Sequence, residues 1–166
     1  ETGKAIYKRL DKVDYDALEW IRASASMPLC SRVVELEGHK LLDGGVADSI
    51  PLEYAESQGW QRNVVILTQP LGFVKKQNPL MPLMRLGLRK YPKMVEALRY
   101  RHLMYNRQLE YVAQAEREGR AFVIRPPFPL PIGHLSHDPA EMQRVYDIGR
   151  ETGEKYIMNV IESMNK

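Results

Sequence analysis

Residues 41–51 read LLDGGVADSIP, and they are the most informative stretch of the chain. The two leucines predict the end of an apolar strand, the glycine pair a tight turn, and Pro51 the first turn of a helix. The strand would deliver Asp43 into a turn where Gly44 and Gly45 take positive φ and allow another group to approach closely. A carboxylate held in this way suits a general base that takes a proton from a neighbouring hydroxyl. A plain Asp-Gly turn, which needs the same residues for its geometry alone, is the structural alternative.

Composition defines the class of protein in which that stretch occurs. The 166 residues suffice for one domain with a sizeable core, and the net charge of +3 is too small to indicate nucleic-acid binding. No apolar run is long enough to span a bilayer. The single cysteine, Cys30, excludes an intrachain disulfide and fits a reducing compartment. We therefore expect a cytoplasmic protein in which Cys30 is a buried thiol.

The pattern of apolar residues predicts strands that alternate with helices, which is typical of α/β folds. The run 64–67 is continuous and β-branched, as in strands buried on both faces of a parallel sheet. A helix capped by Asp14 is expected to bury Leu18, Ile21 and Ala25. The predicted strands are 5–7, 33–36, 40–42, 64–67 and 122–124, and the predicted helices are 15–24, 52–58, 94–118 and one that begins at Pro139.

The neighbourhood of Asp43 also resembles a known family. A small-residue segment that ends in proline, 23–28, is followed by a short hairpin, and then by 42–52 with its Asp-Gly-Gly and its proline at a helix start. A hydrophobic strand, 64–67, comes next. In this order the residues resemble the second half of patatin-like phospholipases of the bacterial branch.

This resemblance is most specific over 23–68, and it is weaker over the long helix, residues 122–125 and the last helix. It implies a three-layer α/β/α fold with a mostly parallel sheet and flanking helices. On this interpretation residues 1–166 are the C-terminal part of a single patatin-like domain. The chain begins Glu-Thr-Gly and runs straight into the predicted strand 5–7, so we expect it to be part of a longer protein.

The resemblance implies a serine lipid acyl hydrolase that uses a Ser–Asp dyad on a lipid or acyl-ester substrate. The family's serine lies in Gly-x-Ser-x-Gly, and a separate glycine-rich loop stabilises the oxyanion. None of the seven serines in this chain has a glycine two residues before it. The chain would thus supply the general base Asp43, shaped by Gly44 and Gly45, and lack the nucleophile. We expect the longer protein to hydrolyse acyl esters without a metal or organic cofactor, and this chain alone to be inactive, pairing with the missing N-terminal half or forming an oligomer.

Residues 75–107 carry a basic strip beside an apolar, proline-broken stretch, 78–88. The stretch is either a lipid-facing flap or a loop packed on the core, and the strip is either a solvated face or a site for an anionic membrane surface. A non-catalytic domain that binds a membrane or a protein partner is therefore the alternative function. Within the strip Glu96 is the one acid, and the basic residues are Lys75, Lys76, Arg85, Arg89, Lys90, Lys93, Arg99, Arg101 and Arg107.

Metal binding is a weaker alternative. Asp43 and Asp48 are candidate metal ligands of a phosphoryl-transfer enzyme, but Asp48 stands where the cap of the following helix is expected. His134 and His137 form a second candidate pair, three residues apart in a proline-rich loop with no cysteine nearby. We therefore expect no metal site.

Overall fold

The computed structural model describes residues 2–133 and 136–165. The chain divides into two compact units, each built from two separate stretches of sequence. The first unit combines Glu1–Pro51 with Lys75–Leu109, and the second combines Leu52–Val74 with Glu110–Lys166. The prediction of one patatin-like domain across the whole chain remains a prediction.

Helices and strands are interspersed along the described chain. The first unit contains α1 Tyr15–Ser24, β1 Val34–Leu36, β2 His39–Leu41, a 3-10 turn at Gly44–Val46, α3 Met81–Gly87 and the beginning of α4 Pro92–Arg117. The second unit contains α2 Leu52–Ser57, β3 Asn63–Ile66, the end of α4, β4 Ala121–Ile124 and α5 Pro139–Asn165. Among the described residues, no helix is both long and apolar enough to cross a bilayer.

The parallel pair β3–β4 confirms the α/β class. Asn63 pairs with Ala121 and Ile66 with Ile124, and α5 contacts β4. The prediction that residues 64–67 are buried on both faces is wrong for this chain, because alternate residues of β3 are exposed, and Ile66 is 73% exposed. In the described chain β3 has a hydrogen-bonded neighbour on one side only, so less of its surface is covered than in a strand at the centre of a wide sheet.

The first helix forms as predicted but buries a different face. Asp14 caps α1 by accepting a hydrogen bond from the backbone N–H of Ala17 at 2.9 Å. The buried residues are Ala17, Trp20 and Ala23, because the small alanines let β1 approach the helix while Trp20 fills the space beside it. The predicted buried stripe is therefore wrong, and its three residues are exposed: Leu18, Ile21 and Ala25.

The predicted strand at 5–7 is also wrong. Residues 2–12 have no helix or strand, and side-chain hydrogen bonds hold them in place of a sheet ladder. The Tyr7 hydroxyl donates to Asp48, and the Lys8 ammonium contacts Glu37 at 2.8 Å. A short apolar run such as Ala-Ile-Tyr forms a strand only where a partner strand supplies hydrogen bonds.

The hairpin β1–β2 delivers the chain to the turn that contains Asp43. Val34 pairs with Leu41, and Leu36 pairs with His39. The two turn residues, Glu37 and Gly38, both have positive φ, at 48° and 78°, as a two-residue turn of the I′ type requires. This confirms the predicted hairpin.

The core of the first unit lies directly after that turn. Val46, Leu88 and Leu98 are buried together, so the 3-10 turn, the segment after α3 and the inner face of α4 share one apolar cluster. Cys30 lies outside this cluster and is exposed, which corrects the expectation of a buried thiol. It follows a positive-φ residue, Leu29, in the loop after α1, where the chain turns at the surface.

Candidate active site

Asp43 is fixed by its backbone and by one of its two carboxylate oxygens. Its backbone N–H donates to the carbonyl of Ser26 at 2.8 Å, which anchors the residue to the end of the α1 segment. Its Oδ1 accepts a hydrogen bond from the backbone N–H of Gly45 at 2.8 Å and caps the 3-10 turn. Within the described chain its Oδ2 has no hydrogen-bond donor, so one oxygen is held and the other is available.

A cavity of about 280 Å³ is lined in part by Asp43 and Gly44. Trp20 and Met94 also line it. Ser24 is a further lining residue, but no hydrogen bond joins Ser24 to Asp43 among the residues that the structure describes. Asp43 is therefore a half-buried residue that lines a space which another group can enter.

Neither glycine of the pair is needed for its backbone conformation, and only Gly45 is needed for space. Neither Gly44 nor Gly45 has positive φ, so that expectation is wrong. A Cβ atom on Gly45 would lie 3.1 Å from Asp43 Oδ1 and 3.5 Å from Arg101 Nη2. A Cβ atom on Gly44 would meet Ser24 Oγ at an ordinary 3.7 Å. The close approach predicted for the pair is therefore a property of Gly45.

The long helix α4 holds this turn from one side. Arg101 Nε donates to the carbonyl of Gly45 at 2.7 Å, and Ser49 Oγ donates to the same carbonyl at 2.5 Å. Gln108 Oε1 accepts from the backbone N–H groups of Ser49 and Ile50 at 3.2 and 3.1 Å. Arg101 and Gln108 thus fix the loop on either side of Val46.

Sequence reasoning did not identify these two α4 side chains. The signal that could have found them is their spacing, because residues 101, 105, 108 and 112 recur at three and four and lie on one helix face. Val112, at the end of that series, is buried. Polar residues on the inner face of a long helix need partners there, and the loop after Asp43 provides them.

Asp48 has a structural role that differs from the expected helix cap. Its carboxylate accepts hydrogen bonds from the Tyr7 hydroxyl and from Gln108 Nε2. Residues 2–133 and 136–165 contain no group of three or more side chains of the ligand types His, Cys, Asp and Glu that could hold a metal ion. His134 lies outside the described residues, and His137 is exposed. The arrangement gives no support to metal ligation by Asp43 and Asp48.

Glu37 links three segments of the first unit. It accepts hydrogen bonds from Lys8 at 2.8 Å and from the Trp20 indole N–H at 3.2 Å. The hydrogen bond from Lys8, followed by that from Trp20, lowers the pKa of Glu37. Because the folded-state pKa lies below the unfolded value, this carboxylate stabilises the fold above the unfolded pKa, and that stabilisation is lost as the pH falls through the folded pKa.

We therefore predict that Glu37→Gln lowers Tm at pH 7, because Lys8 and Trp20 lose a charged acceptor. The difference between Glu37→Gln and the wild type should shrink as the pH falls through the acidic range in which Glu37 becomes protonated. Thermal melts from pH 7 to pH 3 measure this, with Glu35→Gln on the same hairpin as the control. A Tm difference that stayed constant with pH would contradict the proposed role of the carboxylate charge.

Two family models match parts of this chain. Residues 2–56 match the family model of patatin-like phospholipases. This match confirms the resemblance to patatin-like phospholipases over that segment. The family is one of lipid acyl hydrolases, and the matched segment contains the hairpin, the cavity-lining part of α1 and the turn at Asp43.

The long helices match a different model. Residues 91–165 match a domain family of unknown function, DUF6363. The weaker resemblance expected over α4, β4 and α5 therefore lies outside the patatin-like match, although Arg101 and Gln108 contact the patatin-like turn. The stretch 57–90 lies between the two matched segments.

One curated relative resembles most of the chain. An uncharacterized protein of Escherichia coli (strain K12), YjjU, is 30% identical over 145 residues, which cover 86% of this chain and 41% of that protein. The chain thus spans less than half the length of that relative.

Proposed function

We propose that Asp43 is the general base of a Ser–Asp dyad that hydrolyses acyl esters of lipids in the full-length polypeptide. The nucleophilic serine would come from polypeptide outside these 166 residues, since no serine of the chain lies in a Gly-x-Ser-x-Gly sequence. The observation that carries the proposal is that Asp43 lines a cavity, with one carboxylate oxygen held by Gly45 and the other without a donor in the described chain. Asp43 lies in the segment that matches the patatin-like model.

In the proposed dyad, Asp43 transfers the proton in both directions. As the serine oxygen bonds to the acyl carbonyl carbon, Asp43 Oδ2 accepts the hydroxyl proton, and it then delivers that proton to the departing alcohol oxygen. A water molecule loses its proton to the same oxygen when it attacks the acyl-enzyme, and the serine recovers the proton as the fatty acid leaves. The hydrogen bond from Gly45 holds the carboxylate in one orientation throughout.

A fluorophosphonate probe tests where the nucleophile lies. We expect the full-length polypeptide to be labelled on one serine and the 166-residue chain to remain unlabelled under the same conditions. Heat-denatured full-length polypeptide serves as the control for non-specific reaction. Labelling of a serine within these 166 residues, or no labelling of the full-length polypeptide, would contradict the proposed division of the dyad.

A further inference from the structure

The short helix α3 is apolar on two opposite faces. Met81 and Met84 face inward and pack, with Leu88, in the core of the first unit. Leu83 and Leu86 are on the other side of the helix, and they are 55% and 66% exposed. A helix whose inner face already fills a core does not need leucines outside, so the outer face is available for another apolar environment.

The residues that precede and follow this face extend it. Leu80, directly before the helix, is 55% exposed, and Pro79 and Pro82 are exposed beside it. Prolines restrict the backbone of the segment, so the leucines are presented without a large loss of conformational freedom. The apolar patch is therefore preformed.

Some cations of the basic strip contact a ring, a carbonyl or a carboxylate, and others have no ion pair in the described chain. Lys75 packs over the Tyr105 ring at 4.8 Å, Arg101 bonds the Gly45 carbonyl, and Lys93 pairs with Glu96. Three cations next to the leucines are exposed and have no ion pair within residues 2–133 and 136–165. They are Arg85, Arg89 and Lys90.

We propose that Leu80, Leu83, Leu86, Arg85, Arg89 and Lys90 form a docking face for an anionic lipid membrane. The leucines would enter the boundary between headgroups and acyl chains, and the three cations would contact acidic headgroups, as in interfacial amphipathic segments. Exposed cations beside exposed leucines favour a surface that is both anionic and apolar, and an acidic membrane supplies headgroup charge and an acyl boundary together. The face lies within residues 57–90, between the two family matches.

Vesicle sedimentation of the full-length polypeptide tests this face. We expect binding to vesicles of phosphatidylcholine with phosphatidylglycerol, weaker binding to phosphatidylcholine alone, and a decrease with added salt. The triple variant Arg85→Gln/Arg89→Gln/Lys90→Gln should lose about 100-fold in affinity for acidic vesicles. The double variant Leu83→Ser/Leu86→Ser should lose roughly tenfold or more for each leucine.

Two variants on α5 are matched controls. Arg144→Gln/Arg150→Gln/Lys155→Gln removes the same net charge, and Ile157→Ser/Met158→Ser removes two equally exposed apolar side chains. Both should retain binding, which distinguishes a local face from overall charge and hydrophobicity. Circular dichroism and Tm verify that all four variants are folded.

Several outcomes would overturn the inference. They are equal binding to neutral vesicles, no binding to any vesicle, and loss of binding in the α5 controls with retention in the α3 variants. Self-association that disappears in Leu83→Ser/Leu86→Ser would instead identify the face as a contact between copies. The test measures binding alone. A negative result would therefore leave the proposed general base Asp43 unaffected, and loss of the general-base proposal would leave this docking face unaffected.

Discussion

Asp43→Asn in the full-length polypeptide is expected to lower kcat/KM for an acyl ester by about 100- to 10,000-fold, the usual contribution of a general base. The amide has nearly the shape of the carboxylate. Its oxygen can still accept the hydrogen bond that Gly45 N–H donates to Oδ1. The side chain loses only its capacity to take the serine proton, so the loss reports chemistry rather than folding.

The control for this prediction is another aspartate of the same segment. Asp16 is exposed in the first turn of α1, and Asp16→Asn should keep full activity. Hydrolysis of a short p-nitrophenyl ester and of a phospholipid, with Tm for each protein, measures both variants. Full activity of Asp43→Asn with an unchanged Tm would remove the general-base role.

Gly45→Ala is expected to lower kcat/KM by about tenfold, because Asp43 must shift by less than the displacement of about 1 Å that costs roughly 100-fold. The new methyl group would lie 3.1 Å from Asp43 Oδ1 and 3.5 Å from Arg101 Nη2. The 3.1 Å contact is tight, so the carboxylate has to shift, whereas 3.5 Å is an ordinary contact for Arg101. Overpacking of this kind also costs stability, about 1–3 kcal/mol.

Gly44→Ala is the matched control, because the neighbouring glycine has room. Its methyl group would lie 3.7 Å from Ser24 Oγ, an ordinary contact, and neither glycine has positive φ. We expect Gly44→Ala to retain kcat/KM within a few-fold and to melt close to the wild type. Equal behaviour of the two variants would show that the space around Gly45 does not position Asp43.

Local signals in the sequence predicted the elements that depend on neighbouring residues. The cap at Asp14 and the hairpin turn are specified by residues close in sequence, and both formed. The apolar pattern predicted the α/β class and a strand at 64–67, which formed as β3. The stretch around Asp43 predicted the family whose model matches residues 2–56.

What the sequence did not predict depends on contacts between distant residues. The buried face of α1 follows from where β1 packs, and the run 5–7 lacks a partner strand. Asp48 caps no helix because Tyr7 and Gln108, distant in sequence, occupy its oxygens. Arg101 and Gln108 lie more than fifty residues from the turn that they hold, so short-range patterns carry no direct sign of their partners.

Hydrogen bonds from α4 to the Asp43 loop connect two segments that match different families. A polypeptide cut after residue 56 would retain Asp43 but lack both the guanidinium and the amide that fix the carbonyl and N–H groups around it. If residues 91–165 were replaced by the equivalent segment of a homologous protein, the Asp43 loop would therefore keep its structure only if the new segment also carried Arg101 and Gln108. The Asp43 loop therefore depends on residues from both matched segments.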